Sequence, residues 1–326
     1  MMKRFLKTWA ALFAGLALLS PVKAQQYPSH PIKIIVGFAP GSGSDALGRY
    51  YGQKLSEILN TPVIIDNKAG AGQIVAIRAL MGAPADGYTL FLGTGSALGQ
   101  GPGLRKDLPY DPLKDFSLVA QFGTIAGAIY VNSGLPIRTL PELIAYARAN
   151  PGKLSYSSAG LGSAGHLGAE YFMSLTGTKL LHIPYKSDAD AAREVAAGTV
   201  NMGFTLARFA VPLAAADKVR PLMVIHTSRI PDLPNIPSST EVGVKGMRNM
   251  APFTYYGFVG PAGMPANVID QLNRAFNRIS AAPETAVQLQ QAYITPVTGT
   301  AAEFRVFVDK DIDKWRELGK TVKIDF

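Results

Sequence analysis

The sequence predicts an α/β protein of two lobes, each a parallel or mixed sheet with flanking helices, enclosing a ligand cleft. Three observations carry that prediction. Short apolar runs alternate with helical patterns along most of the chain, the signature of strands covered by helices. A length of 326 residues is long for one hydrophobic core and comfortable for two. The block 122–226 reads as an α/β unit complete in itself, so a lobe formed by 25–121 plus 227–326 is expected to carry it as an insertion joined by two hinge connections.

The first 24 residues read as a secretory signal. Lys3, Arg4 and Lys7 form a basic start, 9–19 is an apolar run, and Val22-Lys23-Ala24 offers small residues for cleavage after Ala24. The run is too short to span a bilayer, and no later stretch is long and apolar enough to do so. An exported chain in the periplasm is expected. Removing 1–24 removes four of the 32 basic residues and none of the 23 acidic ones, so the formal charge falls from +9 to +5.

Within the remaining chain, 32–38 is a strand ending in a glycine loop, followed by a helix with apolar positions at Leu47, Tyr51, Leu55 and Ile58. A strand at 63–65, a loop at 67–72, a helix at 74–81 and a strand at 88–92 follow. The alternation continues with strand 128–131, helix 140–149, strand 154–157, helix 166–175, strand 181–184, helix 189–197 and strand 200–204. A strand at 219–226, a Pro-rich extended stretch at 231–237, a strand at 255–259 and helices at 268–279 and 303–318 complete the chain.

Composition excludes several chemistries. Cysteine is absent, which removes thiol nucleophiles, thiolate metal sites and disulfides. The four histidines, His30, His166, His182 and His226, lack zinc-ligand spacing, so neither a metal nor a cofactor is expected. The positive excess is spread rather than gathered into a basic stripe with interleaved aromatics, which argues against nucleic acid and suits a small anionic ligand.

Two loops fit such an anion. Phe38, Pro40, Gly41, Ser42, Gly43, Ser44 and Asp45 lie between a strand and a helix, where glycines let the backbone turn and the first helical turn offers unpaired N–H groups and a partial positive charge. Ser44 or Asp45 acting only as a helix cap is the simpler alternative, and G-x-G-x-x-A from Gly41 is a weak dinucleotide fingerprint. A second such loop, 157–163, ends in Gly162 and Ser163 just before His166. Two loops from two lobes would aim two helix N-termini into one cleft. Ser96, after the 88–92 strand, is a further candidate hydroxyl. Arg208, after the 200–204 strand, is a candidate partner for a second carboxylate, with Phe204, Phe209 and Tyr256 as apolar walls.

A rival reading is an exported serine hydrolase. Leu161-Gly162-Ser163-Ala164-Gly165 matches the nucleophile elbow G-x-S-x-G except at its first position, but His166 lies only three residues beyond Ser163, a poor dyad.

Taken together, FAPGSGSD at 38–45, DNKAGAG at 66–72, DGYTL at 86–90, YDPLKDF at 110–116, GLGSAGH at 160–166, PYK at 184–186, Pro237 with Glu241 and Gly243, and PAGMP at 261–265 resemble the substrate-binding proteins of tripartite tricarboxylate transporters, the Bordetella-uptake-gene type. The resemblance spans essentially the whole exported chain. It implies a monomeric periplasmic binding protein of type II-like fold that closes on a small organic acid, delivers it to a membrane permease and catalyses nothing. A ligand sensor for a membrane signalling partner would share the cleft. It also implies carboxylate contacts at Gly43, Ser44, Asp45, Gly162, Ser163 and His166. Ser42, Gln73 and Ser187 stand where that family often has glycine. Thr205 stands where many members have Asp, which argues against an amine-bearing ligand. With Arg208 nearby, the expected ligand is a dicarboxylate, aromatic ones such as terephthalate included.

Overall fold

The computed structural model describes residues 27–320, so the expected signal segment lies outside the described residues. Two mixed sheets form the frame. The first has six strands in the order β11-β4-β10-β3-β1-β2, with β1 (Ile32–Val36), β2 (Val63–Asn67), β3 (Thr89–Thr94), β4 (Phe116–Ile125), β10 (Thr254–Pro261) and β11 (Ile294–Pro296). The second has five in the order β7-β6-β8-β5-β9, with β5 (Gly127–Asn132), β6 (Ser155–Ser158), β7 (Leu181–Pro184), β8 (Met202–Leu206) and β9 (Val219–Ile225). In the first sheet β1 runs parallel to β2 and β3, whereas β10 is antiparallel to β3 and β4. In the second β6 is parallel to β7 and β8, and β5 is antiparallel to β8 and β9.

Among the described residues the chain passes between the sheets twice. It leaves the first sheet at Ala126, between β4 and β5, and returns through 226–253. The sequence-derived limits do not fall at these crossings: 122–125 still pair in the first sheet, and 227–253 pack largely on the second. Ser238 bridges to Val224, and the Tyr171 hydroxyl donates to the Gly246 carbonyl.

Helix α1 (Gly43–Leu59) starts at Ser42, whose Oγ accepts from the Asp45 N–H at 3.1 Å, and ends at Asn60 in the left-handed region. Its glycines let it lie flat on the sheet. A Cβ at Gly48 would come within 2.9 Å of Val36, and one at Gly52 within 3.0 Å of Ile65. Tyr51, on the same face, is fully buried against Phe122 and Phe258 and donates to or accepts from Ser280 Oγ at 2.9 Å. Phe258 in turn stacks on Phe276 of the helix Ala266–Ser280, with centroids 4.0 Å apart. Burying these rings supplies roughly 2–3 kcal/mol each, which fixes the angle at which α1 presents its N-terminus.

Along the second sheet, α2 (Ala164–Thr176) and α3 (Asp188–Ala197) likewise begin at capping serines. Ser163 Oγ accepts from the His166 N–H, and Ser187 Oγ from the Asp190 N–H. Both helices therefore start at the carboxyl ends of strands, the usual ligand-binding edge of open α/β sheets.

Candidate binding site

The two edges face each other across a cavity of about 420 Å3, within the range of small-molecule sites. One wall is Gly37, Phe38 and Ala39 with the loop Ala69–Gln73; the other is Ala159–Leu161 and Ser163 with Pro184, Tyr185 and Lys186. A smaller cavity of about 30 Å3 adjoins it, sharing Phe38, Ala159 and Ser163, and is lined also by Ser44, Thr94, Ser96, Asp188 and Tyr256. The lobes touch at the wall of the larger cavity: a Cβ placed on Gly72, whose φ is +59°, would lie 2.9 Å from the Leu161 carbonyl oxygen and 3.5 Å from Gly162 Cα.

Both predicted loops thus meet in one cleft, yet their residues divide into those that face it and those that hold the loops in shape. Phe38, Ser44, Ser96 and Ser163 line it. Ser44 Oγ lies 3.0 Å from the Tyr256 hydroxyl. Asp45, by contrast, is only 4% exposed and is committed to its own loop: it accepts from the Gly41 N–H at 2.9 Å and from Asn67 Nδ2 at 2.9 Å, and pairs with Arg49 at 3.0 Å. Burial disfavours its charge, but these hydrogen bonds and the Arg49 charge outweigh it and hold the carboxyl below its usual range. Ser42 caps α1, and Gly41 makes the left-handed turn at φ +82° next to exposed Pro40. Gly43 packs against Leu206, Arg208 and Phe209 of the other lobe.

His166 has the same kind of role. Its Nδ1 accepts from the Gly162 N–H at 3.2 Å, its ring stacks on His182 at 4.5 Å, and Nε2 lies 3.9 Å from Glu170. Burial, followed by the charge of His182 and then of Arg105, lowers its pKa to about 4; burial alone takes His182 to about 4. Both rings are therefore neutral at pH 7. His182 Nε2 sits 2.7 Å from Ser158 Oγ, which in turn bonds to Gly160, so the pair shapes the loop that ends at Ser163. The bond between Ser163 and His166 runs from the backbone N–H of His166, which is a helix cap and not a base aimed at a hydroxyl.

Other expected contacts lie behind the cavity walls. Thr205 is fully buried with its Oγ1 3.0 Å from the Tyr130 hydroxyl. Arg208 lies over the Phe209 ring at 5.0 Å, its Nη1 3.7 Å from a Cβ on Gly43. The cation lining the cleft is Lys186. Gln73, Asp188 and Lys186 were not among the expected contacts, although the loops DNKAGAG and PYK that flank them were legible. Gln73 is 2% exposed and donates from Nε2 to Thr94 Oγ1 and Ser96 Oγ, each at 2.8 Å. Asp188 accepts from the Leu206 backbone near Arg208, but desolvation dominates and pushes its pKa up to about 7. The described residues hold no cluster of three His, Cys, Asp or Glu side chains arranged to bind a metal, and no helix among them is long and apolar enough to cross a membrane.

The family model for the tripartite tricarboxylate transporter family receptor matches residues 47–324. The chain belongs to that family. Among relatives of this receptor, BugT of Bordetella pertussis is 30% identical over 99% of both chains. Its fold is that of periplasmic binding proteins. The R. palustris protein Rpa4515, solved with adipate, superposes with a TM-score of 0.82 at 29% identity, covering 90% of this chain and 98% of its own. The periplasmic binding protein BugD superposes at 0.81 with 27% identity, over 90% and 98%. The receptor is accordingly a periplasmic solute-binding protein.

Proposed function

We propose that this receptor captures a small organic carboxylate between its two sheets and delivers it to the membrane permease of a tripartite transporter, acting as a monomer without cofactor or catalysis. One observation carries the reading. The helices that open at Gly43 and Ala164, one on each sheet, bring Ser44 and Ser163 to the same inner cavity. There backbone N–H groups and a partial positive charge favour an anion. Adipate in the Rpa4515 structure supports a carboxylate as the class of ligand. A dicarboxylate would place its second end in the larger cavity against Lys186, a role that sequence alone gave to Arg208.

Thermal unfolding of the protein lacking residues 1–24, against a panel of mono-, di- and tricarboxylates, aromatic acids and amino acids, tests the reading. A ligand at about 100 times its dissociation constant adds roughly 2.7 kcal/mol of stability. A response to no acid in the panel overturns it.

A further inference from the structure

Outside the ligand cavities the two lobes also meet along α2. The first lobe's side of this seam is a corner between the short helix Gly101–Leu104 and the long helix Ala301–Gly319. Phe304, Val308 and Ile312 of the long helix are buried in the core of the first sheet with Phe91, Leu118 and Val259. The corner is close-packed, since a Cβ on Gly103 would come within 2.7 Å of the Ile312 carbonyl oxygen. From it Trp315, only 1% exposed, meets Tyr171 of α2 edge-on with ring centroids 5.7 Å apart.

Arg105 follows directly on that corner. Its N–H donates to the Gly101 carbonyl at 2.8 Å, and its Nε and Nη2 donate to the two Asp107 carboxylate oxygens at 3.1 and 2.9 Å. The Asp107 side chain is 68% exposed but that of Arg105 only 17%, so the guanidinium is covered by more than its acidic partner. Part of that cover is the second lobe. Nη1 lies 4.0 Å from the position of a Cβ on Gly162, and the Arg105 charge joins burial and His182 in keeping the His166 ring neutral. Glu170, one turn along α2, lies 3.9 Å from Nε2 of that ring, so a cation and a carboxylate from opposite lobes bear on one histidine. Arg105 lines neither cavity of the cleft and borders instead a separate one of about 190 Å3. It thus lies against the Gly162 loop from outside the ligand cavities.

With Nε and Nη2 fixed on Asp107, the guanidinium loses little further freedom when the second lobe comes against it. A contact between lobes that leaves the ligand untouched changes the fraction of closed protein, and that fraction scales every dissociation constant alike. We propose that Arg105 is a positioning residue for ligand capture: anchored by Asp107 on the first lobe, it holds the Gly162–Ser163 loop of the second in the closed arrangement and sets affinity without touching the ligand. The proposal rests on the carboxylate-binding reading and adds to it a residue outside the cavities.

The test is calorimetric titration of the protein lacking residues 1–24 with the acids of the thermal panel, in wild type, Arg105→Gln and Arg105→Lys. Arg105→Gln should raise the dissociation constant of every acid that binds by about five- to twentyfold. The ratios between acids should stay within about twofold of wild type. Arg105→Lys, which keeps the charge but loses the two-pronged hold on Asp107, should fall between the two. The ligand-free melting temperature of Arg105→Gln should stay within about 2 °C of wild type. Unchanged dissociation constants overturn the closure role and leave carboxylate binding intact. A loss confined to some of the acids makes Arg105 a ligand contact and overturns it too. So does a loss of affinity matched by a loss of ligand-free stability, which would assign Arg105 to the folding of its own lobe. No binding by wild type anywhere in the panel overturns the carboxylate reading together with this one. If Arg105→Gln does not fold, Arg105→Lys and Asp107→Asn, each expected to weaken all acids alike, decide.

Discussion

The neutral His166 ring gives the sharpest stability test. At pH 7 its Nδ1 accepts from Gly162 inside a residue only 2% exposed; protonation would turn that acceptor into a donor and bury a charge beside His182. In the unfolded chain the ring keeps its ordinary value of 6.5, so between pH 6.5 and about 4 the unfolded state binds the more protons. Stability from this group is therefore complete above pH 6.5 and declines as the pH falls towards 4. Linkage makes the loss roughly 2 kcal/mol at pH 5 and roughly 3 kcal/mol at pH 4. Asp188 works in the opposite sense over an overlapping window. Its carboxyl is raised in the fold, so its contribution is present below about 3.8 and lost as the pH rises through about 7.

The raw pH profile mixes the two, which is why the measurement has to be a difference. His166→Gln keeps an acceptor for Gly162 and removes the titrating group, while Asp188 and the other carboxylates cancel between the proteins. Urea unfolding followed by circular dichroism from pH 7.5 to 4 should show the advantage of wild type over the variant shrinking by about 2–3 kcal/mol. Two profiles that stay parallel within about 0.5 kcal/mol would refute the claim that His166 is held neutral by its surroundings.

Three further outcomes follow from the geometry. Gly72→Ala sets a Cβ 2.9 Å from the Leu161 carbonyl and forces a side chain into φ +59°; the strain should cost about 1–2 kcal/mol of stability in calorimetry, and the lobe clash should weaken several-fold the binding of whichever carboxylate stabilises the wild-type protein in the thermal panel. A variant that binds as wild type does would show that the Gly72–Leu161 contact plays no part in closure. Asp45→Asn removes the charge that Arg49 and the Gly41 N–H share, with an expected loss of roughly 1.5–3 kcal/mol in urea unfolding at pH 7. Since the carboxyl is lowered in the fold, that difference should persist above pH 3.8 and close as the pH falls through the lowered value. Lys186→Ala should raise the dissociation constants of dicarboxylates more than those of monocarboxylates, and an equal effect on both would detach Lys186 from the second ligand end.

The alternating architecture was legible because its elements carry local signals. The helices at Leu140–Ala149 and Ile74–Met81 and the strand at Leu181–Pro184 fall where periodicity and capping put them. Strand β4 was not, because it is buried on both faces although it lies second from the edge of its sheet. Phe116, Leu118, Val119, Ala120, Phe122 and Ile125 show no alternation when β10 lies on one side and β11 on part of the other. The limit drawn at 121/122 fell inside this strand for that reason. The short helix Pro283–Gln291 and β11 were missed too. Most of their residues are polar or exposed, and β11 exists only by pairing with β4, a contact remote in sequence.

The site was legible as loops but not as individual contacts, and the difference has one physical cause. A glycine-rich turn that must present N–H groups to an anion also has to be held rigid, and short polar side chains do that work from within the loop. Asp45, Ser42 and His166 look like ligand contacts in the sequence because they are polar and close to the turns. In the fold Asp45 and His166 are spent on the Gly41 and Gly162 N–H groups, and Ser42 on the Asp45 N–H that opens α1. Were Asp45 to face the cleft, its negative charge would oppose the anion that the N-terminus of α1 attracts; tied to Arg49 and Asn67, it lends rigidity while its charge is balanced. Keeping both histidines neutral likewise makes loop shape independent of pH across the neutral range. What remains lining the two cavities is backbone, hydroxyls, Lys186, Asp188 and apolar walls such as Phe38, Leu161 and Phe253. The side chains that share these cavities with the two loops therefore come from neighbouring elements, which no spacing within the two glycine loops encodes.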